Sequence, residues 1–372
     1  MKIKKIIWYV PLELNHSSYI YTSILEFVKE ENCGFEISWI NLNSKGTISF
    51  NDSKIIFSNN WYTKVCYVDI VLQNNKKIKL AFDLNDSGYV FSKEALETVD
   101  YFFKRTYINE VIKDLELNYK CKLVPMGMPF MVKPNELKNK LKLKFLFYKF
   151  RYYQLIKFDS MILKRIKNFY LLTNKDWIFF TKTRTSNDFK NKSLNNMWNF
   201  IFYQKRFFPY ENSIDVKDIH NQRIRIIRLL KENFKNNFVG GLKKDSPITD
   251  GFEDCISQTE GNQLAFLTKM KSCGICVYTR GLSFSTGWTL PEFLSQGKCI
   301  VAERTNVVLP FSLENNINVL FYDNEDHLVS ICNQLIKNKE MVDFVGKNAL
   351  NYYNSYVSPS VFFNNILQKL ND

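Results

Sequence analysis

The chain has 372 residues, 51 of them Lys or Arg against 37 Asp or Glu, for a formal net charge of +14, and 45% of its residues are apolar. That length suggests two domains or one large one with a sizeable core, and the apolar share excludes a disordered chain. With 13 Gly and 9 Pro the sequence also excludes collagen-like and Pro/Gly-rich linker architectures.

In chain order, the first stretch predicts a strand at 4–10, closed by Pro11, then a helix at 19–29. Strands follow at 35–40, 55–58, 65–72 and 77–82, then a loop at 83–88 and a helix at 93–99. Residues 137–170 hold ten basic residues (Lys138, Lys140, Lys142, Lys144, Lys149, Arg151, Lys157, Lys164, Arg165 and Lys167) against the single acid Asp159. Most of the excess charge is therefore one segment. A second alternating series predicts strands at 177–181, 237–239, 274–278, 298–302 and 318–322, with helices at 221–233, 260–270, 289–296 and 325–337. The helix at 221–233 rests on periodicity, since Ile224, Ile227 and Leu230 share one face and Arg225, Arg228, Lys231 and Glu232 occupy the other. After 356, Pro359 precedes a helical stretch at 361–370, long enough to cross back onto the first domain.

Alternating strands and helices imply parallel sheets with helices on both faces. The expected fold is α/β: two Rossmann-like, doubly wound domains at 1–135 and 173–355 facing across a cleft, a basic amphipathic segment at 136–172 between them, and a crossing helix at 356–372. The basic segment interleaves its charges with Leu, Ile, Phe and Tyr, the composition of a helix lying at an anionic membrane surface. A solvated basic helix packed on its own domain is the alternative, and nucleic acid is not expected as a partner because no recognition motif accompanies the charge. No run reaches the roughly eighteen apolar residues of a membrane span, and no export signal opens the chain. Eight scattered cysteines fit buried thiols in a reducing compartment. The expected location is cytoplasmic, peripheral to the inner membrane.

The most informative stretch is 279–304, TRGLSFSTGWTLPEFLSQGKCIVAER. A strand ends, a loop of small residues follows, and a helix begins near Thr289 with Pro291 in its first turn. Such a loop entering a helix aims backbone N–H groups at an anion, with Glu292 close to whatever it holds. A carboxylate in that turn is also what simple compensation of the helix dipole gives.

This pattern resembles the donor-sugar signature of GT-B glycosyltransferases. The resemblance implies a glycosyltransferase, hexosyltransferase-like, with a nucleotide sugar as donor. It further implies that Glu292 bonds the ribose of the nucleotide sugar, and that the loop Ser285, Thr286, Gly287 and Trp288 meets the diphosphate. Lys182 and Arg184, after the strand expected at 177–181, would neutralise the phosphates, and Gly241 would turn the chain near the nucleotide. The sequence departs from the retaining families in carrying Phe284 where they place a second Glu, and from the inverting signature in having Glu292 five residues after Gly287. Retention or inversion stays open. VDYFFKRTY at 99–107 and PMGMPF at 125–130 are similar to stretches in bacterial glycosyltransferases of capsule and surface-polysaccharide clusters, implying a lipid-linked or surface-glycan acceptor.

Breaking a sugar–diphosphate bond develops charge on the leaving group, which basic side chains stabilise. No Asp-x-Asp pair occurs to hold a divalent cation, so neither metal nor cofactor is expected. An inverting reaction also needs a base for the acceptor hydroxyl, and His16, expected on a loop after the first strand, and Asp86 in DLNDSG are the candidates, with Asp83 beside it. Cys273 and Cys276 have C-x-x-C spacing but no second pair to complete a zinc site. A catalytically silent GT-B-like binding or chaperone subunit is the alternative function.

Overall fold

The structure is a computed structural model that describes residues 2–10, 14–38, 45–51, 54–62, 64–136, 139–190, 197–209, 213–244, 246, 250–258 and 261–370. Pro11, Lys138, Glu260 and the end of the strand expected at 35–40 lie outside the described residues. The chain divides into two compact units, Met1–Asn187 with Pro359–Asp372, and Asp188–Ser358. The first carries β1 (Ile3–Tyr9), α1 (Leu14–Glu31), β2 (Gly34–Ser38), β3 (Thr47–Asn51), β4 (Lys54–Ser58), β5 (Val65–Leu72) and β6 (Lys77–Asp83). It continues through β7 (Val90–Ser92), α2 (Lys93–Thr98), β8 (Tyr101–Lys104), α3 (Asn109–Glu116), β9 (Lys122–Pro125), α4 (Asn139–Tyr152) and α5 (Ile162–Lys182). The second carries β10 (Met197–Lys205), α6 (Ile214–Phe234), β11 (Phe238–Leu242), α7 (Gln263–Ser272) and β12 (Cys273–Tyr278). Then come α8 (Thr289–Ser295), β13 (Cys299–Glu303), β14 (Leu320–Tyr322), α9 (Glu325–Leu335) and α10 (Lys339–Tyr352), before α11 (Pro359–Lys369) joins the first unit. The α/β class and the two Rossmann-like units are those expected from the alternating elements.

The first unit is less regular than expected. Its main sheet has the order β2-β1-β5-β6-β8-β9, with β1 and β5, and β5 and β6, antiparallel. Only four residues, Gln73 to Lys76, join β5 to β6, too few for a crossover, so the two strands can pair only as a hairpin. Asn75, with φ of 62°, makes the turn. A second, antiparallel sheet has the order β4-β3-β7. The core joins Trp8, stacked on Tyr21 at 4.7 Å, with Phe145 of α4 edge-on at 5.6 Å. Helix α11 lies on α1, where Tyr19 meets Phe362 at 4.7 Å and Phe27 meets Phe363 at 5.1 Å.

Residues 177–181 are helical, not a strand. They continue α5, whose inward stripe Ile162, Arg165, Phe169, Asp176 and Phe179 keeps helical spacing to its end. The unit boundary therefore falls after Asn187 rather than near 173, and the basic segment is part of the first unit, anchored by buried Phe145 and by a buried ion pair of Lys149 with Asp176.

The second unit is a wholly parallel sheet in the order β11-β10-β12-β13-β14. Strand β12 is buried at every residue, as expected of a strand covered on both faces. Ile224, Ile227 and Leu230 of α6 face the core in the predicted periodicity, and Phe234 extends the stripe. Gly240 and Gly241 lie within β11, not in a turn. Their φ values of 135° and 129° suit glycine alone, and a Cβ on Gly240 would stand 2.0 Å from the Tyr203 carbonyl oxygen.

Candidate active site

The order of the second sheet reverses at β10, with β11 on one side and β12 on the other. In open α/β sheets, ligands bind at such a switch point, outside the carboxyl ends of the strands. Strand β10 ends at Lys205, β12 at Tyr278 and β13 at Glu303, so these ends define the candidate site.

Lys205 reaches over the rings of Tyr203 and Tyr278, at 5.5 Å and 5.3 Å, and donates long hydrogen bonds to Thr289 Oγ1 at 3.3 Å and the Thr279 carbonyl at 3.5 Å. Burial, with Arg223 nearby, pushes its ammonium down to about 7 against the pull of Glu303 and Glu292. Glu292, in the first turn of α8, is also buried and is pushed up to about 7 by desolvation, although Gln263 donates to it at 3.3 Å and Lys205 attracts it. An amine and a carboxyl with opposite displacements thus act on each other at this site. Groups perturbed in this way cluster at functional sites.

The loop between β12 and α8 is held from both ends. Gly281 N–H donates to the Ser285 carbonyl at 2.8 Å, and Gly287 N–H donates to the Tyr278 hydroxyl at 2.8 Å. Ser283 and Phe284 adopt φ of 51° and 61°, a left-handed pair that non-glycine residues rarely take. Asp215 stabilises this conformation, accepting from Ser283 N–H at 2.8 Å and from the Arg280 guanidinium at 2.6 Å, while Arg280 stacks on the Phe284 ring at 3.9 Å. Ser285 and Thr286 are buried beneath.

The structure thus brings Ser285, Thr286, Gly287, Trp288 and Glu292 to the ends of β10 and β12. Lys182 and Arg184 belong to the first unit, Lys182 as the last residue of α5 and Arg184 where its carbonyl accepts from Lys133 N–H at 3.0 Å. Within the second unit the basic residue at these strand ends is Lys205, with Arg223 acting on it and Arg280 at the loop, and sequence reasoning singled out none of them, nor β10 itself. The available signal was the run MWNFIFYQK, rich in aromatic residues and closed by Lys205. Gly241 pairs with Gln204 inside the sheet, and a Cβ there would stand 2.4 Å from the Cys255 carbonyl oxygen, so its glycine answers a packing requirement.

In the first unit, His16 sits in the first turn of α1 rather than on a loop. Its charge acts on Asp86, so the two candidate bases are neighbours. Burial pushes the Asp86 carboxyl up, but Arg105 at 2.6 Å and Lys64 at 3.1 Å outweigh it and hold the group below the usual carboxylate range. Asp83 is fully buried and accepts from Lys104 at 2.9 Å and from the Tyr62 hydroxyl at 2.6 Å, a structural arrangement.

No family model matches the chain, and no curated protein does. Among solved structures it is similar to a glycosyltransferase from Rickettsia africae ESF-5, at 11% identity over 99% of this chain and 97% of that one, with a TM-score of 0.40. It is similar to TarM at 10% identity over 100% and 99%, with a TM-score of 0.41. A third similar structure is Alr3699/HepE of Anabaena in complex with UDP-glucose, at 13% identity over 73% and 79%, with a TM-score of 0.37. Each is a distant likeness.

Proposed function

We propose that the chain is a GT-B glycosyltransferase that takes a nucleotide-sugar donor at the switch point of its second unit and passes the sugar to a lipid-linked or surface-glycan acceptor. The observation that carries this reading is the convergence of Lys205 and Glu292 at the ends of β10 and β12, next to the 281–288 loop. The resemblance of 279–304 to a donor-sugar signature supports it, and the upstream stretches at 99–107 and 125–130 support the acceptor class.

In this reading the ionised Glu292 accepts from the ribose hydroxyls, and the Lys205 ammonium faces the diphosphate. As the bond from the anomeric carbon to the diphosphate oxygen breaks, negative charge grows on the leaving group, and a fixed ammonium in a dry pocket stabilises it. Lys205 thereby fills the role for which the sequence suggested Lys182 and Arg184, and no metal is required. The acceptor hydroxyl gives up its proton to a base, for which His16 on the first unit is proposed. Asp86, held ionised by Arg105 and Lys64, lies beside it.

The test is consumption of donor in EDTA, read as released nucleotide (UDP, GDP, dTDP or CMP), across a panel of UDP-, GDP-, dTDP- and CMP-sugars with a mixed glycan acceptor fraction. One nucleotide class should be consumed, and Glu292→Gln should raise its KM by about tenfold or more, the loss of a charged hydrogen bond. No consumption by a folded sample, with or without added divalent cation, would contradict the reading and favour a silent binding subunit.

A further inference from the structure

We infer that the outward faces of α4 and α5 form a docking surface for an anionic phospholipid bilayer, independent of the donor site. Helix α5 buries only Asp176 and Phe179, while most of its other residues stand wholly or partly in solvent. Its outer face is nonetheless apolar. Leu163, Ile166, Tyr170 and Trp177 follow one another at helical spacing along a single exposed stripe, with Leu163 77% and Trp177 67% exposed. Lys164, Lys167, Lys175 and Lys182 form a second exposed stripe beside it. Helix α4 repeats the pattern, since Leu143, Leu146, Phe147 and Phe150 are exposed at positions i, i+3, i+4 and i+7. Between the helices, Ile156 and Phe158 are 76% and 87% exposed.

An apolar stripe flanked by lysines is unfavourable in water and suits one environment: acyl chains below a plane of negative headgroups. Charge complementarity selects that occupant over a neutral protein partner. From Lys142 to Lys182 there are ten basic residues against Asp159 and Asp176, and both carboxylates are engaged internally, by Arg165 at 2.9 Å and by Lys149. The segment thus presents an excess of positive charge. A groove of about 620 Å³ at the end of α4, lined by Phe147, Phe150, Arg151, Gln154, Ile156 and Lys157, has the same character, an apolar floor with two cationic rims. Among the described residues no helix is long and apolar enough to cross a membrane, so the surface would lie on the bilayer.

Sedimentation with vesicles tests this. The full chain should pellet with vesicles of three parts phosphatidylcholine to one part phosphatidylglycerol, stay in solution with phosphatidylcholine alone, and be released by salt. Lys164→Gln with Lys167→Gln should weaken binding on the order of thirtyfold, from the contribution of two lysines near an anionic surface. Ile166→Ser with Leu163→Ser should weaken it while leaving the salt dependence in place. Because both pairs are exposed, circular dichroism should show the wild-type fold. Trp177 reports directly: anionic vesicles should shift its emission to the blue, and Trp177→Phe should remove that shift without removing binding. Equal binding to neutral vesicles, no binding to either, or wild-type binding by both double variants would overturn the inference. So would a concentration-dependent dimer that buries Trp177 without lipid, or single-stranded nucleic acid outcompeting the vesicles.

Discussion

Lys205→Met is expected to lower kcat/KM for the consumed donor by about 10²- to 10³-fold, the loss that follows removal of one preorganised charge aimed at a developing anion. The same substitution should make the second unit more stable. Lys205 has an ordinary value of 10.5 and is held at about 7 in the folded chain, so its contribution is lost as pH falls from 10.5 and is gone below about 7. Glu292 is displaced the other way, from 4.5 to about 7, so its contribution is lost as pH rises from 4.5 and is gone above about 7. Both penalties meet near neutrality. Methionine removes the amine's penalty and gives up only two long hydrogen bonds, and Glu292 then remains neutral to a higher pH. A gain of about 2 kcal/mol, or roughly 4–8 °C in the unfolding transition of this unit, is expected at pH 7. Calorimetry checks the stability, and a matching loss of both stability and activity would contradict the assignment. The wild-type donor dependence should fall on both sides of pH 7, on the acid side as Glu292 is protonated and on the alkaline side as Lys205 is deprotonated.

Asp83→Asn is expected to destabilise the first unit by about 3–5 kcal/mol, a large share of the roughly 5–15 kcal/mol that holds an ordinary domain. Asp83 and Lys104 are both wholly buried, and Asp83 also accepts from Tyr62 and from Asn85 N–H at 2.9 Å. Lys104 donates to the Val90 carbonyl at 2.7 Å and lies 4.5 Å from the Phe91 ring. Taking away the carboxylate leaves the ammonium without its bonded counter-charge, with only the weaker pull of Asp86, in a region that burial already makes hostile to it. Asp83→Asn combined with Lys104→Met should recover most of the loss, because no buried charge then remains. Urea unfolding of the single and double variants measures both, and a single variant within about 1 kcal/mol of wild type would show that the pair is dispensable.

How much of this was legible depended on whether local pattern and tertiary role agreed. Helix α6 announced itself because Ile224, Ile227 and Leu230 repeat at helical spacing over a long segment, and the loop from Gly281 to Glu292 because small residues, Pro291 and a following glycine punctuate it. The run WIFFT at 177–181 was misread because five apolar and β-favouring residues fit a strand or a buried helix equally, and only the inward stripe reaching back to Ile162 decides between them. That error displaced the first strand of the second unit and left β10, with Lys205 at its end and Arg206 after it, unread. The hairpin of β5 and β6 was readable from its four-residue connection, which forbids the parallel pairing assumed for the whole sheet. The neighbourhood of Lys205 and Glu292 was not readable at all, since 87 positions of sequence separate them and only the folding of the parallel sheet sets them side by side.

The most direct test of the donor site is isothermal titration calorimetry of the full chain in EDTA with UDP, GDP, dTDP and CMP, on the wild type, Glu292→Gln and Lys205→Met. One nucleotide should bind without metal, with affinity weakened about tenfold or more in each variant. Binding that both variants retain at wild-type strength would place the nucleotide elsewhere and contradict the assignment of the switch point as the donor site.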